Sequence, residues 1–391
     1  MENFVFYSPT KFIFGINEEE NVGKYIKEFG GSKILLHYGT SSAKKSGLID
    51  KIQRSLEKEN LSYVELGGVE ANPKSSLVYR GIETAKKEKV DFILAVGGGS
   101  VIDSAKAVAM GALYDGDFWD FFSHKKYAEK ALPIGTVLTI AAAGSEGSPN
   151  SVITHEDGMQ KRACENDCIL PKFSIMDPEL TKTLSMYQKA CGITDMMAHV
   201  MERYFSNTEN VEVTDRLCEG ILKSIINETL KLKENIQDYQ INANIMLAGM
   251  LAHNDVCGIG REQDWGSHAI EHELSALYDC PHGAGLAVVF PAWMEYVINS
   301  NMDKFVQFAL RVWNVEMDFE NPENTAREGI RRLKMFLSSI GMPLNFSQLG
   351  AKREDIPKLL DMLKADERKI GRFIKLTRED CKKIYEIAAR D

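Results

Sequence analysis

Short apolar runs alternate with amphipathic stretches through the first part of the chain, up to Asp177-Pro178. The apolar runs have the length of buried strands, and the stretches between them repeat apolar residues at the period of a helix. We predict strands over residues 33–38, 62–66, 92–96, 134–139 and 173–176. We predict helices over residues 18–29, 49–59 and 78–88, among others. This alternation predicts a parallel β-sheet covered by helices.

Two further apolar runs lie near the N-terminus, at residues 4–7 and 12–14. They stand on either side of Ser8-Pro9-Thr10, which has the composition of a turn. The pattern predicts a β-hairpin outside the main alternation.

After Asp177-Pro178 the apolar residues recur almost entirely at helical spacing. The long stretches are residues 213–232, 241–254, 268–277 and 326–340. We therefore predict two domains: an α/β dinucleotide-binding domain over residues 1–182 and an all-helical domain over residues 183–391. Because no flexible linker separates them, we expect close packing with a cleft that binds a small molecule.

Charge and composition exclude several classes of protein. The 391 residues include 47 Lys and Arg against 56 Asp and Glu, for a formal net charge of −9. Binding to nucleic acids or anionic membranes needs a basic surface, so this balance argues against both. No apolar run reaches the ~20 residues that span a bilayer, and the first residues lack the features of a signal peptide. We expect a cytoplasmic protein.

The seven cysteines are an odd and modest number for a chain of this length. A disulfide framework is therefore not favoured, and reduced thiols are expected. Cys164 and Cys168 lie four residues apart, but no second pair of ligands stands nearby to complete a zinc knuckle.

A glycine-rich turn, Gly97-Gly98-Gly99-Ser100, follows an apolar strand and begins a helix. Glycines let backbone N–H groups approach a ligand, and the positive end of the helix dipole favours phosphate. The turn is thus a candidate cradle for a dinucleotide, although the G-x-G-x-x-G fingerprint is absent. The alternative is a turn whose glycines serve only close packing of strand and helix.

A second turn, Gly39-Thr40-Ser41, follows the first strand of the alternation. It presents no acidic residue to hold the ribose hydroxyls, as NAD-specific sites usually do. Its small hydroxyl residues leave room for the 2′-phosphate of NADP. The alternative is an exposed polar turn without a ligand.

Asp195 and His199 lie four residues apart, so on a helix they share one face. His268 and His282 follow later in the chain, separated by a helix and a turn. One aspartate with three histidines is a ligand set suited to Fe(II) or Zn(II). The alternative for the Asp195/His199 pair is a structural cap or hydrogen bond.

A second pattern overlaps these residues: His268, Glu271 and His272 fit H-x-x-E-H, the zinc motif of inverted zincin peptidases. A peptidase would leave the glycine-rich turn and the parallel half unexplained, so we keep it as a remote alternative. The remaining histidines, which have no partner at ligand spacing, are interpreted as structural: His37, His124, His155 and His253.

With these motifs the chain resembles the iron-containing (group III) alcohol dehydrogenase family, and within it the branch of NAD(P)H-dependent butanol dehydrogenases and aldehyde reductases. The resemblance runs over essentially the whole chain. Its markers are Gly15, Tyr38-Gly39, Asn72-Pro73, Gly97-Gly98-Gly99-Ser100, Asp103, Lys106, Gly144-Ser145-Glu146, Asp177-Pro178, Asp195, His199, Asp264-Trp265, His268, His272-Glu273-Leu274 and His282-Gly283.

The resemblance implies a dehydroquinate synthase-like fold and hydride transfer between NAD(P)(H) and a small neutral alcohol or aldehyde. A related polyol or polyol-phosphate dehydrogenase of the same fold is the alternative. The implied metal ligands, for Fe2+ or alternatively Zn2+, are Asp195, His199, His268 and His282. The implied cofactor-binding residues are Gly39, Ser41, Asn72, Gly98, Gly99, Ser100, Asp103, Thr139 and Lys161.

His272 is then the candidate catalytic residue, a proton relay beside the metal ligands, since an imidazole ordinarily titrates near neutral pH. NADP(H) is expected to be favoured over NAD(H), because the turn after the first strand lacks a carboxylate. The N-terminal element resembles one that pairs across a subunit interface in the family, which implies a homodimer.

The chain departs from the family pattern in one segment. Ala143-Gly144-Ser145-Glu146 stands where the family usually has Thr-Gly-Ser-Glu, so the threonine hydroxyl is missing. We expect this change to affect cofactor affinity more than reaction class. The following Gly147-Ser148-Pro149 is also unusual and is expected to reshape the loop beside the nicotinamide.

Overall fold

The computed structural model of the protein describes residues 1–367 and 369–390. The chain divides into two compact units. The first unit is Tyr7–Leu184, and the second combines Met1–Phe6 with the described residues from Ser185 onward. The observed division lies two residues beyond the predicted boundary, and the first six residues group with the helical unit.

The first unit is built on a parallel sheet of six strands in the order β1-β8-β5-β4-β2-β3. A separate antiparallel hairpin pairs β6 with β7. The strands are β1 (Lys11–Phe14), β2 (Lys33–Gly39), β3 (Ser62–Val69), β4 (Phe92–Gly97), β5 (Ile134–Leu138), β6 (Asn150–His155), β7 (Gln160–Glu165) and β8 (Phe173–Met176). This architecture confirms the predicted fold class.

Helices complete both units. In the first unit they are α1 (Val22–Glu28), α2 (Ser42–Lys45), α3 (Leu48–Lys58), α4 (Ser75–Glu88), α5 (Gly99–Ala112) and α6 (Trp119–Phe122). In the second they are α7 (Met186–Tyr204), α8 (Glu212–Leu232), α9 (Tyr239–His253), α10 (Gly266–Tyr278), α11 (His282–Val297), α12 (Met302–Trp313), α13 (Pro322–Ser339), α14 (Phe346–Leu349), α15 (Ile356–Leu363) and α16 (Arg378–Ala388).

The sheet supplies the core of the first unit. Every residue of β4, β5 and β8 is buried, as expected for parallel strands covered on both faces. Within this core the rings of Phe92 on β4 and Phe173 on β8 stack with their centroids 6.1 Å apart. Four of the five predicted strands fall within observed strands, and the fifth, residues 134–139, extends one residue beyond β5.

The predicted N-terminal hairpin is wrong. Lys11–Phe14 forms the edge strand β1 and pairs in parallel with β8, while residues 4–7 form no strand. An apolar run specifies a strand but not its partner, and here the partner lies far along the chain. The true hairpin, β6 with β7, was missed because both strands are rich in polar residues; its Asp157-Gly158 turn was the available signal.

The second unit begins at a capping box. The Ser185 side chain accepts a hydrogen bond from the backbone N–H of Gln188, and the Gln188 side chain accepts one from the backbone N–H of Ser185. These reciprocal bonds satisfy orphan donors and fix the start of α7. Across the described residues, no helix combines the length and apolar character needed to cross a bilayer.

Candidate active site

Helix α7 carries two of the predicted metal ligands on one buried face. Asp195 and His199 are each only 5% exposed, and Nε2 of His199 lies 3.5 Å from Oδ1 of Asp195. Burial, followed by the nearby rings of His253 and His268, holds the pKa of His199 well below its ordinary value. A neutral imidazole is the form that ligates a metal ion.

Two other helices bring the remaining predicted ligands to this face. His268 lies in the first turn of α10, and His282 is the first residue of α11. Asp195, His268 and His282 each offer a ligand atom, and these three atoms lie within 4.8 Å of one another. His199 stands beside this group, with its ring centroid 4.9 Å from that of His268. The four predicted ligands thus lie together.

Two of the candidate ligand histidines have a buried carboxylate bonded to Nδ1 of the ring. Nδ1 of His268 lies 2.8 Å from Oε1 of Glu202, and Nδ1 of His282 bonds to Oε2 of Glu271. Both glutamates have no exposed surface. Such carboxylate partners fix the tautomer and direct Nε2 toward a metal ion. Nε2 of His268 is indeed buried without a hydrogen-bond partner among the described residues, as expected of an atom that ligates an ion.

Glu202 and Glu271 were not predicted as site residues. Glu202 follows Asp195 by seven residues, which is two helical turns along the same face of α7, and that spacing was the available signal. Glu271 stood in the H-x-x-E-H pattern, where a peptidase would use it as a free base. Here its two oxygens bond to His282 and Ser275. The carboxylate therefore supports a ligand and is not placed to act as that base.

His272, the predicted proton relay, lies close to the same cluster. Its side chain is partly exposed, and its ring centroid is 5.4 Å from that of His282 and 6.5 Å from that of His268. Ligand-type atoms of Glu271, His272 and His282 lie within 4.8 Å of one another. The residue is thus near the candidate ligands while keeping access to solvent.

In the first unit, the predicted nucleotide residues gather at the carboxyl ends of the central strands. Gly39 ends β2 and Gly97 ends β4, and the two strands pair in parallel. The chain runs outward from β2 to β3 and then returns to the other side of β2, so β2 and β4 flank a topological switch point. Ligands of open parallel sheets bind in the crevice at such a point.

The glycine-rich turn is closely packed. A Cβ at Gly98 would lie 2.3 Å from Cγ2 of Ile140, and one at Gly99 would lie 2.7 Å from Cβ of Ala143. The glycines are therefore required by packing, the alternative considered above, and they also leave the N-terminus of α5 without a side-chain cap. Such a helix start can bind an anion.

The other predicted cofactor residues divide into accessible and engaged groups. Ser41 precedes α2, and Thr139 is partly exposed, with its backbone N–H bonded to Gly97. Asn72 and Lys161 are buried and bonded to each other, Nζ to Oδ1, at 3.0 Å. Both carboxylate oxygens of Asp103 accept internal hydrogen bonds, from the Ser145 hydroxyl and the Val152 backbone N–H.

Lys106, a marker of the resemblance, is a structural cation in this unit. Four oxygens surround its fully buried Nζ at 2.7–2.8 Å: the carbonyl and hydroxyl oxygens of Ser145 and the carbonyl oxygens of Ser148 and Asn150. Burial lowers the pKa of Lys106 to about 8. The unusual Ser148 thus contributes a backbone carbonyl that holds this loop in place.

Comparison with known proteins agrees with this geometry. The family model described as iron-containing alcohol dehydrogenase matches residues 9–178, and the one described as Fe-containing alcohol dehydrogenase family, C-terminal, matches residues 189–389. The chain is 41% identical to the probable NADH-dependent butanol dehydrogenase 2 of Bacillus subtilis, covering 97% of this chain and 98% of that one. It is 32% identical to the NADPH-dependent aldehyde reductase YqhD of Escherichia coli, covering 99% and 100%.

Solved structures show the same likeness. The NADH-dependent butanol dehydrogenase A of Thermotoga maritima superposes with a TM-score of 0.96 at 42% identity, covering 100% of this chain and 99% of that one. These matches span both units and leave no room for the peptidase alternative. The chain belongs to the iron-containing alcohol dehydrogenase family.

Proposed function

We propose that the protein uses a divalent metal ion to transfer hydride between NAD(P)(H) and a small neutral alcohol or aldehyde. The observation that carries the proposal is the arrangement of His268 and His282, whose Nδ1 atoms are held by Glu202 and Glu271 beside the Asp195 carboxylate. Relatives of the chain are named as a probable butanol dehydrogenase, a butanol dehydrogenase and an aldehyde reductase, which supports the same reaction class.

The ligands we propose are Asp195, His199, His268 and His282. Three imidazoles and one carboxylate suit Fe2+, with Zn2+ as the alternative. When bound, such an ion supplies Lewis acidity toward a substrate oxygen. Glu202 and Glu271 keep the proton of each partner histidine on Nδ1, so that the other ring nitrogen is available for the ion.

A proton must also move during the reaction, and we assign this role to His272. Its partly exposed ring lies beside His282, so a ring nitrogen can carry a proton between solvent and the substrate oxygen, toward that oxygen in aldehyde reduction and away from it in alcohol oxidation. An imidazole suits this task because its ordinary pKa lies near neutral pH.

For the nicotinamide cofactor, which supplies or accepts the hydride, we propose contacts at Gly39, Ser41, Gly98, Gly99, Ser100 and Thr139. Asn72, Asp103 and Lys161 are proposed to support the same site.

We propose that NADP(H) is accepted at least as well as NAD(H), because Gly39-Thr40-Ser41 carries no carboxylate. Glu65 in the neighbouring strand is already bonded to Tyr38, Gln53 and Lys44. The names of several relatives specify NADH, and the ratio of kcat/KM for NADPH and NADH tests this preference.

We further propose that the protein is a homodimer and that it works in the cytoplasm. The N-terminal segment supports the first proposal, since Val5 and Tyr7 are 89% and 58% exposed and β1 is an edge strand. Exposed apolar side chains beside an unpaired strand edge favour association. Light scattering of the purified chain tests the dimer.

The seven free cysteines support the second proposal, because free thiols persist in a reducing compartment such as the cytoplasm.

The metal proposal is tested by comparing the wild type with His268→Ala and with an exposed control, His124→Ala. We expect stoichiometric Fe or Zn in the wild type and in the control. His268→Ala should lose the metal and the activity while its circular dichroism and nucleotide binding stay unchanged. Full turnover of the metal-free wild type, or of His268→Ala, would refute the mechanism.

A further inference from the structure

The three candidate ligand histidines are not supported in the same way. His268 and His282 each have a carboxylate at Nδ1. Nδ1 of His199 is buried and has no hydrogen-bond partner among the residues that the structure describes. A histidine ring without such a bond can rotate about its side-chain torsions, so its orientation toward an ion must be fixed by other contacts.

Those contacts are aromatic. The ring of His253, the last residue of α9, stacks on the ring of His199 with centroids 4.1 Å apart and planes 17° apart. The ring of His268 stacks on His199 at 4.9 Å, and the Trp265 ring lies 5.8 Å away. Stacked rings prefer a parallel, offset arrangement, and at this distance the His253 ring sets the plane of His199.

His253 is itself held by Arg203. One guanidinium nitrogen of Arg203 lies 3.1 Å from Nδ1 of His253, and another donates to the backbone oxygen of His199 at 2.9 Å. The guanidinium also lies 4.7 Å from the centre of the Trp265 ring. Arg203 therefore ties the His199 turn of α7 to the end of α9.

The contact with Arg203 also indicates which ring nitrogen of His253 accepts a hydrogen bond. An arginine only donates hydrogen bonds, so Nδ1 of His253 must accept, and the proton of the ring stays on Nε2. The ring of His253 stacks on His199, whose Nε2 lies 3.5 Å from Oδ1 of Asp195, so His253 lies behind a candidate ligand.

We propose that His253 is a positioning residue whose stacked ring fixes the ring plane of His199 for metal binding. The proposal rests on the metal site proposed above. It assigns a role to a histidine that sequence spacing had left as merely structural. In this arrangement ring stacking orients the imidazole of His199 toward the metal ion, as the carboxylates of Glu202 and Glu271 orient those of His268 and His282.

The test compares metal affinity in three variants with that of the wild type. His253→Ala removes the stacked ring, His253→Phe keeps a ring without the Nδ1 acceptor, and Met246→Ala is a control that creates a cavity at another buried position of α9. Metal-free protein is titrated with Zn2+ against a chromophoric chelator. The rise in thermal midpoint on Zn2+ saturation is measured in parallel, since a ligand that binds the folded state raises it.

We expect His253→Ala to weaken Zn2+ binding by about 10–100-fold, the usual effect of removing a partner behind a metal ligand. His253→Phe should stay within about threefold of the wild type because the stacking remains. Met246→Ala should lower the midpoint of metal-free protein while leaving Zn2+ affinity unchanged. Activity of His253→Ala should recover at saturating metal.

Three results would overturn the proposal. They are unchanged affinity in His253→Ala, an equal loss in His253→Phe, or an equal loss in Met246→Ala, which would indicate general loosening of α9. A wild type that binds no Zn2+ or Fe2+ would instead refute the metal site itself. The two failures are therefore distinguishable.

Discussion

Nδ1 of His268 lies 2.8 Å from Oε1 of Glu202, and the same oxygen accepts hydrogen bonds from the Ser267 hydroxyl and the His268 backbone N–H. The other oxygen of Glu202 accepts from the backbone N–H of Trp265. One buried carboxylate on α7 thus fixes the start of α10 and the tautomer of a candidate ligand together.

Glu202→Gln should therefore weaken metal binding more than it weakens the fold. The amide keeps the size of the side chain but loses the charge that holds the Nδ1 proton of His268. We expect a loss of about 10–100-fold in metal affinity, with activity restored by excess metal. Chelator competition measures the affinity, and Glu212→Gln on the exposed face of α8 is the matched control. Equal affinity in the two variants would contradict the role of Glu202.

Gly39→Asp should shift cofactor preference toward NAD(H). A Cβ at Gly39 would lie 3.6 Å from the Val69 carbonyl oxygen and 3.9 Å from Val101, which are ordinary contacts, so the side chain fits. Its carboxylate would repel a 2′-phosphate by at least ~1.4 kcal/mol, about tenfold in the ratio of kcat/KM values. Gly39→Asn, of the same size without the charge, separates repulsion from crowding. A strong NAD(H) preference in the unmodified protein would contradict the premise.

Neutral aldehydes should be better substrates than phosphorylated ones. Segments 192–199 and 268–277 contain no Arg or Lys but include Asp195, Glu271 and Glu273. The nearby cation Arg203 is only 3% exposed in its side chain and is engaged with α7 and α9. A phosphate would be desolvated without a partner.

The measurement is a kcat/KM series over acetaldehyde, butanal, hexanal and glyceraldehyde 3-phosphate. Each buried methylene should contribute up to ~0.8 kcal/mol, so butanal, with two more methylenes, should exceed acetaldehyde by up to about 15-fold. A phosphorylated aldehyde that exceeds butanal would overturn the assignment of substrate class.

Acid should destabilise the fold through His37. This residue of β2 is fully buried, with Nδ1 bonded to the Leu66 carbonyl oxygen and Nε2 to the Ser104 hydroxyl. Burial lowers the pKa of His37 from 6.5 to about 4. Between these values the unfolded chain binds more protons than the folded one, so stability falls as the pH falls from 6.5 to 4.

The loss from this one group amounts to ~3 kcal/mol, and it levels off below pH 4. Urea unfolding at pH 7 and pH 4.5 measures it. His37→Gln, which does not titrate, should show a smaller difference between the two pH values. An equal difference in variant and wild type would assign the acid sensitivity to other groups.

The parts of the fold that were predictable are those in which local pattern and burial coincide. Strand β4 is apolar at every buried position, so its sequence alone marks it. Strand β7, with Lys161, Arg162 and Glu165, lacks that signature, and only its turn residues indicated a hairpin. Strand β1 was recognisable as a strand, but its partner β8 is set by the topology of the whole sheet.

The candidate site divides in the same way. Asp195 and His199 were predictable because their spacing on one helix determines their proximity. Three residues were not recognised as parts of the site: Glu202, Glu271 and His253. Each contacts a candidate ligand that lies on a different helix, so only the packing of the helices brings the two together. A histidine at the end of α9 is unremarkable until α7 places Arg203 and His199 against it.

The candidate ligands come from three helices, α7, α10 and α11, and the chain between Asp195 and His282 includes two further helices, α8 and α9. An ion held at this point would close several long loops of the unfolded chain at once, much as a set of disulfides would. Its binding energy would then add to the cooperativity of the helical unit. The centre that performs the chemistry would also be the principal cross-link of the unit that carries it.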